Sequence, residues 1–187
     1  MSITAEHVAG YKSGIWQLDP THSEIAFSVR HLAISKVKGK FETFTVTVTA
    51  PENPADMTVE ASIDVASVNT NQAQRDEHLR TSDFFAIDEH PQMTFVSTAF
   101  SPDEDGSFTL DGDLTLRGVT KPVTLKGEFG GIVVDGYGQT KAGVEAKTKI
   151  NRHDFGVSWN AALEAGGVTL GDDVTITFDL QFVLPAA

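Results

Sequence analysis

Apolar side chains recur at every second position in eight separate runs, and this period of two commits most of the chain to β-structure. In Ile25–His31, the residues Ile25, Phe27, Val29 and His31 point one way, and Ala26, Ser28 and Arg30 the other. Thr45–Thr49 alternates Thr with Val46 and Val48, and Thr58–Val65 places Val59, Ala61, Ile63 and Val65 on one face. Thr94–Phe100 is a further run, with Phe95 and the opposite-parity Val96 both apolar. Phe108–Leu116 alternates through Leu110, Gly112 and Leu114, and Val123–Phe129 through Leu125 and Gly127. Ala142–Ile150 repeats the pattern with Val144, Ala146 and Thr148. Val174–Phe182 carries the cleanest stripe: Val174, Ile176, Phe178, Leu180 and Phe182. Val, Thr and Phe dominate these runs, as a pleated, half-buried surface prefers.

Turn signals separate the runs. Asp105-Gly106 and Asp135-Gly136 predict tight hairpins, because Gly accepts positive φ. Pro51–Pro54 and Arg117-Gly118 read as loops, and Pro122 belongs at a strand start or an edge. Two stretches break the alternation. Gln72–Ser82 predicts a helix, with Asn69, Thr70 or Asn71 available as its cap. Asp76 and Arg80 are spaced to pair there, and Gln72, Arg75, Asp76 and Leu79 share one face. Trp159–Ala165 predicts a second short helix, capped by Ser158 and ended by Gly166-Gly167.

About eight antiparallel strands joined by hairpins make an all-β sandwich or an up-and-down barrel. Strands of about nine residues span about 30 Å, which is long for a small sandwich and favours the barrel. An eight-stranded barrel is just wide enough to hold one small ligand. Phe27, Phe178 and Phe182 would line its lumen or simply fill a core; periodicity leaves both readings open.

Composition narrows the function classes. The 187 residues suit one domain, expected at 15–187 behind a poorly ordered arm at 1–14. The absence of cysteine removes disulfides, zinc–thiolate sites and thiol nucleophiles. A net charge of −12 argues against nucleic acid and against anionic lipid surfaces as partners. No run of about 18 apolar residues exists, so no stable membrane insertion by a helix is expected. The start, MSITAEHVAGYKSG, lacks a basic stretch followed by an apolar run, which makes the cytoplasm the expected location.

Four motifs then occur in order. Asp19-Pro20-Thr21-His22-Ser23 precedes the strand at Glu24–His31. Arg75-Asp76-Glu77-His78-Leu79-Arg80 leads into Asp83-Phe84-Phe85 and His90-Pro91. Leu114–Val123 contains Arg117-Gly118, and Asn151-Arg152-His153-Asp154-Phe155-Gly156 follows later. Together these resemble the YceI-like family, from about Trp16 to Val183. The resemblance implies a lipocalin-like antiparallel barrel with a short helix near its mouth. It also implies binding of a polyisoprenoid, an isoprenoid quinone or a fatty-acid-like ligand in an apolar tunnel. Two features depart from the family pattern: many members carry a secretion leader, and an aromatic residue often stands where this chain has His90.

Such a site needs a dry tunnel and one or two polar groups for the head. The apolar faces offer Phe27, Val29, Phe41, Val59, Ile63, Phe95, Leu114, Leu125, Val144, Ile176 and Phe178 as lining. His31 shares their parity and would reach a head group, or bond a neighbour in the core. Arg75 and His78 lie on the helix, where a guanidinium would grip a phosphate or pair with a carboxylate. Arg152 and Asp154 flank a turn and are expected to tie loops together; His22 is expected to cap or pack a turn. No Gly-x-Ser-x-Gly elbow, P-loop or His-Glu-x-x-His motif is present, so no catalytic residue is assigned. The six histidines are scattered without metal-ligand spacing, and neither a metal nor a cofactor is expected. A lipid carrier is the leading reading. An enzyme acting on an isoprenoid or small apolar substrate, and an interaction module with a filled core, are the alternatives. A homodimer is the default assembly for a soluble chain of this kind.

Overall fold

The eight alternating runs all form strands, and three further strands complete one continuous antiparallel sheet. A computed structural model describes residues 3–186. In chain order the elements are β1 (Gly14–Leu18), β2 (Glu24–His31), β3 (Ser35–Phe41), β4 (Phe44–Ala50), β5 (Thr58–Asp64) and β6 (Val68–Asn69). The helix α1 (Ala73–Arg80) follows, then β7 (Gln92–Pro102), β8 (Ser107–Leu116), β9 (Val119–Val134), β10 (Thr140–Asn151) and β11 (Leu170–Leu184).

Eight of the strands close into a ring, β1–β4–β5–β7–β8–β9–β10–β11, sealed where Gln17 and Leu18 pair with Val183 and Phe182. The long β11 serves two partners. Its last residues pair with β1, while Val174–Asp179 pair with β2. Between β1 and β2 the chain bends through a 3₁₀ turn at Pro20–His22, capped by Asp19, whose carboxylate accepts from the Thr21 amide at 3.1 Å. Ser23 Oγ donates to Asp19 O at 2.7 Å, fixing the bend. Beyond it, β2, β3 and β6 extend the wall as a flap, and α1 packs at the inner side of that flap through Leu79.

Several local expectations are corrected. The cap of α1 is Gln72, whose side chain accepts from Arg75 N at 2.6 Å. Asp76 does not pair with Arg80. Its buried carboxylate accepts from Thr70 N at 2.9 Å and Thr70 Oγ1 at 2.6 Å, which is the stronger use of a charge removed from water. Arg80 instead meets Glu77 at 2.6 Å and the Ala66 carbonyl at 2.9 Å. Trp159–Ala165 is not helical. Residues 160–170 fold back on themselves, with Thr169 N donating to Ala161 O and the Asn160 side chain bonded twice to the Leu170 backbone. Gly166 and Gly167 turn this loop at positive φ, and backbone groups a helix would have paired are satisfied across the loop.

Gly106 does adopt positive φ in the β7–β8 hairpin. In the β9–β10 loop, however, the left-handed residue is Gly138, because Asp135 accepts from both Tyr137 N and Gln139 N and lengthens the turn. Pro122 stands four residues into β9, opposite Asp113.

The inner face is apolar and yet hollow. Gly39 lies directly opposite Phe27, and Gly127 opposite Phe108. A Cβ at either glycine would overlap the facing ring. The rings therefore lie along the wall over the bare glycine backbone, and the lumen between opposite walls stays open.

Candidate functional site: a two-chambered apolar lumen

Two cavities share the interior. Chamber one, within the closed ring, has a volume of about 460 Å³. Chamber two, under the flap and α1, has about 260 Å³. Met93 and Ile176 belong to both walls, so the chambers abut at those side chains.

All the residues singled out for the lining reach one chamber or the other, and the structure sorts them. Val59, Ile63, Phe95, Leu114, Leu125, Val144 and Phe178 line chamber one. Phe27, Val29, His31, Phe41, Arg75 and His78 line chamber two, and Ile176 lines both. Sequence reasoning missed a second group. Trp16 and, from the N-terminal segment, Ile3, Val8 and Tyr11 close over chamber one, and Leu79, Phe84, Phe85, Val157 and Trp159 wall chamber two. Ile3 is only 6% exposed. The segment expected as an arm thus lies, in its described part, across the mouth of chamber one; Met1 and Ser2 fall outside the described residues. Tyr11 hydroxyl donates to Pro51 O, and burial pushes its pKa up. No period of two marks these residues, because Trp16 sits in the five-residue β1, Leu79 in α1, and the others in the loops and turns around them.

The polar groups of chamber two, His31 apart, are anchored by hydrogen bonds. Arg75 makes no carboxylate pair. Its Nε donates to Thr70 Oγ1 at 2.7 Å and its Nη2 to Thr70 O at 2.8 Å, and Thr70 in turn donates to Asp76. His78 Nε2 lies 2.7 Å from Asp83 Oδ2, and its ring stands edge-on to Phe84 and Trp159 at 5.0 and 4.9 Å. The His31 side chain has no hydrogen-bond partner among the described residues and is half-buried at the end of β2. Arg152, only 4% exposed, ties the loop after β10, as its position flanking a turn suggested. Its Nε donates to Gly171 O, and Nη1 to Val157 O and Trp159 O, at 2.8–2.9 Å. Burial lowers its pKa, with the Asp172 charge opposing that shift. Arg117 Nη1 donates to Phe84 O and Gly156 O, at 3.0 and 3.1 Å. Three of the four sequence motifs therefore meet around chamber two. His90 packs against the Gly118 turn there.

The two ends of the lumen differ in charge. Chamber two carries Arg75, Arg152, His31 and His78, whereas the mouth of chamber one carries Asp103 and Glu104 beside His7. Two abutting chambers of this kind can bury an apolar chain and orient a polar end. Among the described residues no cluster of three His, Asp or Glu is placed to hold a metal ion, and no helix is long and apolar enough to cross a membrane.

Known proteins share this architecture. A protein of Staphylococcus aureus (strain MSSA476), from the set called UPF0312, is 38% identical over 166 residues, covering 88% of this chain and 94% of its own. Among solved structures, the YCEI protein of Campylobacter jejuni superposes with a TM-score of 0.71 at 29% identity, over 84% of this chain and 90% of that one. BcnA of Burkholderia cenocepacia gives a TM-score of 0.74 at 24% identity, over 88% and 98%. A polyisoprenoid binding domain from Saccharophagus degradans gives 0.70 at 17% identity, over 91% and 98%. The family model described as the YceI-like domain matches residues 16–182, so the hollow eight-stranded barrel with its flap and short helix is that of a member of the YceI-like family.

Proposed function

We propose that this protein binds one long-chain amphiphile in its barrel, with the apolar tail in chamber one and the polar head in chamber two. The observation that carries the reading is the asymmetry of the interior: two abutting apolar chambers, one lined by Arg75 and Arg152 and the other by Asp103 and Glu104 at its mouth. An anionic or strongly electron-rich head is favoured beside Arg75 and disfavoured beside Asp103 and Glu104. Each methylene of the tail taken from water contributes about 0.8 kcal/mol, offset by the ordering of the chain. A polyisoprenoid, an isoprenoid quinone or a fatty-acid-like molecule fits this chemistry, and the solved polyisoprenoid binding domain of the same fold supports the first of these. The role is carriage or storage rather than catalysis. Arg75 and His78 are engaged with Thr70 and Asp83, Arg152 with backbone carbonyls, and His31 stands without a partner, so among the described residues no nucleophile–base pair faces the lumen.

Mass spectrometry of an organic extract from the natively purified protein tests the reading. A prenyl or acyl chain at one per protein is expected. An empty extract, together with no binding of added prenyl or acyl lipids, would remove it.

A further inference from the structure

The charge of this chain is not spread evenly. The β2–β3 hairpin, residues 24–41, carries four of the fourteen Lys and Arg residues against a single acid, Glu24 at the end of β2 away from the tip, in a chain of net charge −12. Alternation sends Phe27, Val29, His31, Val37 and Phe41 into chamber two and leaves Arg30, Lys36, Lys38 and Lys40 exposed on the outer face. Among the described residues none of these four makes an ion pair. Arg30 stands directly across from Lys36, a like-charge pairing that weakens a hairpin. Arg30 packs against Gly171, but the acids that follow it are engaged elsewhere. Asp172 meets His153 at 2.8 Å, and Asp173 meets Lys149 at 3.1 Å.

The tip of the same hairpin is apolar and strained. Leu32 and Ala33 both hold left-handed backbone, φ +54° and +57°, which Asn-Gly would adopt with less strain. Leu32 is 37% exposed and Ile34 81%. The amide of Leu32 donates to Thr169 O at 2.8 Å, which sets the half-exposed Val168 beside the tip. His31, Thr169 and Leu170, the immediate neighbours of this apolar cluster, belong to the wall of chamber two. The hairpin therefore combines uncompensated cations, unfavourable backbone and exposed aliphatic side chains at one edge of the lumen. None of these helps the fold.

We propose that the β2–β3 hairpin is a peripheral docking site for an anionic phospholipid surface. Leu32 and Ile34 enter the headgroup layer, while Arg30, Lys36, Lys38 and Lys40 face the lipid phosphates and hold chamber two against the bilayer. The net charge of −12 argues against this only at long range. The Debye length is about 8 Å at physiological salt, and lysines two apart on a strand are separated by about 7 Å, so at contact the surface meets the hairpin's charge as a unit. The site rests on the hairpin alone, not on what the chambers hold.

Co-sedimentation with vesicles of phosphatidylglycerol and phosphatidylcholine, against phosphatidylcholine alone, tests the proposal. Binding to the anionic vesicles is expected at low salt, with loss as salt is raised. The exposed double variant Lys36→Gln/Lys38→Gln should weaken the partition about 25-fold, or about fivefold per cation. Ile34→Ser should weaken it further, and Tyr137→Ser, 94% exposed on the distant β9–β10 loop, should leave it unchanged. Equal sedimentation on neutral vesicles, none on anionic vesicles, or full binding by a double variant with normal circular dichroism would overturn it. So would loss of binding in Tyr137→Ser. Lipid extracted from the same preparations reports cavity occupancy separately, so docking can fail while the cavity remains filled, and the reverse.

Discussion

Phe178 illustrates how much a single side chain decides. It points into chamber one from β11, and its volume sets how deep a tail can go. Phe178→Trp should plug the chamber and weaken binding of a long-chain lipid at least tenfold while the melting temperature changes little; unchanged affinity in the folded variant would place the tail elsewhere. Arg75 holds Thr70 with two of its nitrogens, leaving the rest of the guanidinium for a ligand. Arg75→Ala should weaken a phosphorylated lipid more than a quinone of the same length, as titrations with both would show. Gly127 carries the opposite lesson, since its lack of a side chain lets Phe108 lie flat. Gly127→Ala should press on that ring and on the Glu145 carbonyl of β10, cost about 1–3 kcal/mol or more in denaturant unfolding and reduce lipid capacity together.

At the scale of elements, the bend between β1 and β2 governs the architecture, and Asp19 governs the bend. Its carboxyl is held below the ordinary carboxylate range, first by the hydrogen bond with His22 and then by Lys141 and the Thr21 amide. A depressed folded-state pKa stabilises above the unfolded value of about 4, and that contribution is lost as pH falls through the lower folded value. Asp19→Asn keeps a capping oxygen but removes the charge, and should therefore cost up to about 1 kcal/mol near neutrality, the range of a near-surface ion pair. Thermal melts of both proteins should converge as the pH is taken below 4; a constant gap would show that charge plays no part. The same scale explains the missed strands. β1 and β6 are too short for a period to register, and the three lysines and single glycine of β3 hide the stripe Val37, Gly39 and Phe41. The failed helix at Trp159–Ala165 had helix formers and a plausible cap, yet bonds between Ala161 and Thr169 and between Asn160 and Leu170 satisfied its backbone first.

For the whole molecule, occupancy and stability are linked. A lipid bound only by the folded state adds about 2.7 kcal/mol when present at a hundredfold its dissociation constant. For a chain of this length that raises the melting temperature by roughly 5–10 °C. Scanning calorimetry before and after delipidation, with re-addition of the extracted lipid, should show that shift and its recovery; identical melts would mean that the lumen is empty in both. The barrel tolerates the hollow because its eight strands leave no open sheet edge in the closed ring, and because the N-terminal segment and α1 with the flap cover its two ends.

The period of two and the hairpin turns were enough to determine an all-β chain and the inward parity of the lining residues in the eight alternating runs, since alternation is a local property of extended chain, and the motif order pointed to the barrel. Phe27, Phe95 and Phe178 had to face inward whatever the neighbouring strands did. Whether inward meant a packed core or a lumen was not local. It depended on Gly39 and Gly127 meeting Phe27 and Phe108 across a strand pair, which only register decides. Register also divided the lining between two chambers and gathered Arg75, His78, Arg117 and Arg152 at one end. Those residues lie far apart along the chain, and no pattern along one strand or one helix encodes their meeting. The pairing of β2 with β11 and of β3 with β6 sets α1 at the end of the barrel where the β8–β9 turn and the loop after β10 lie.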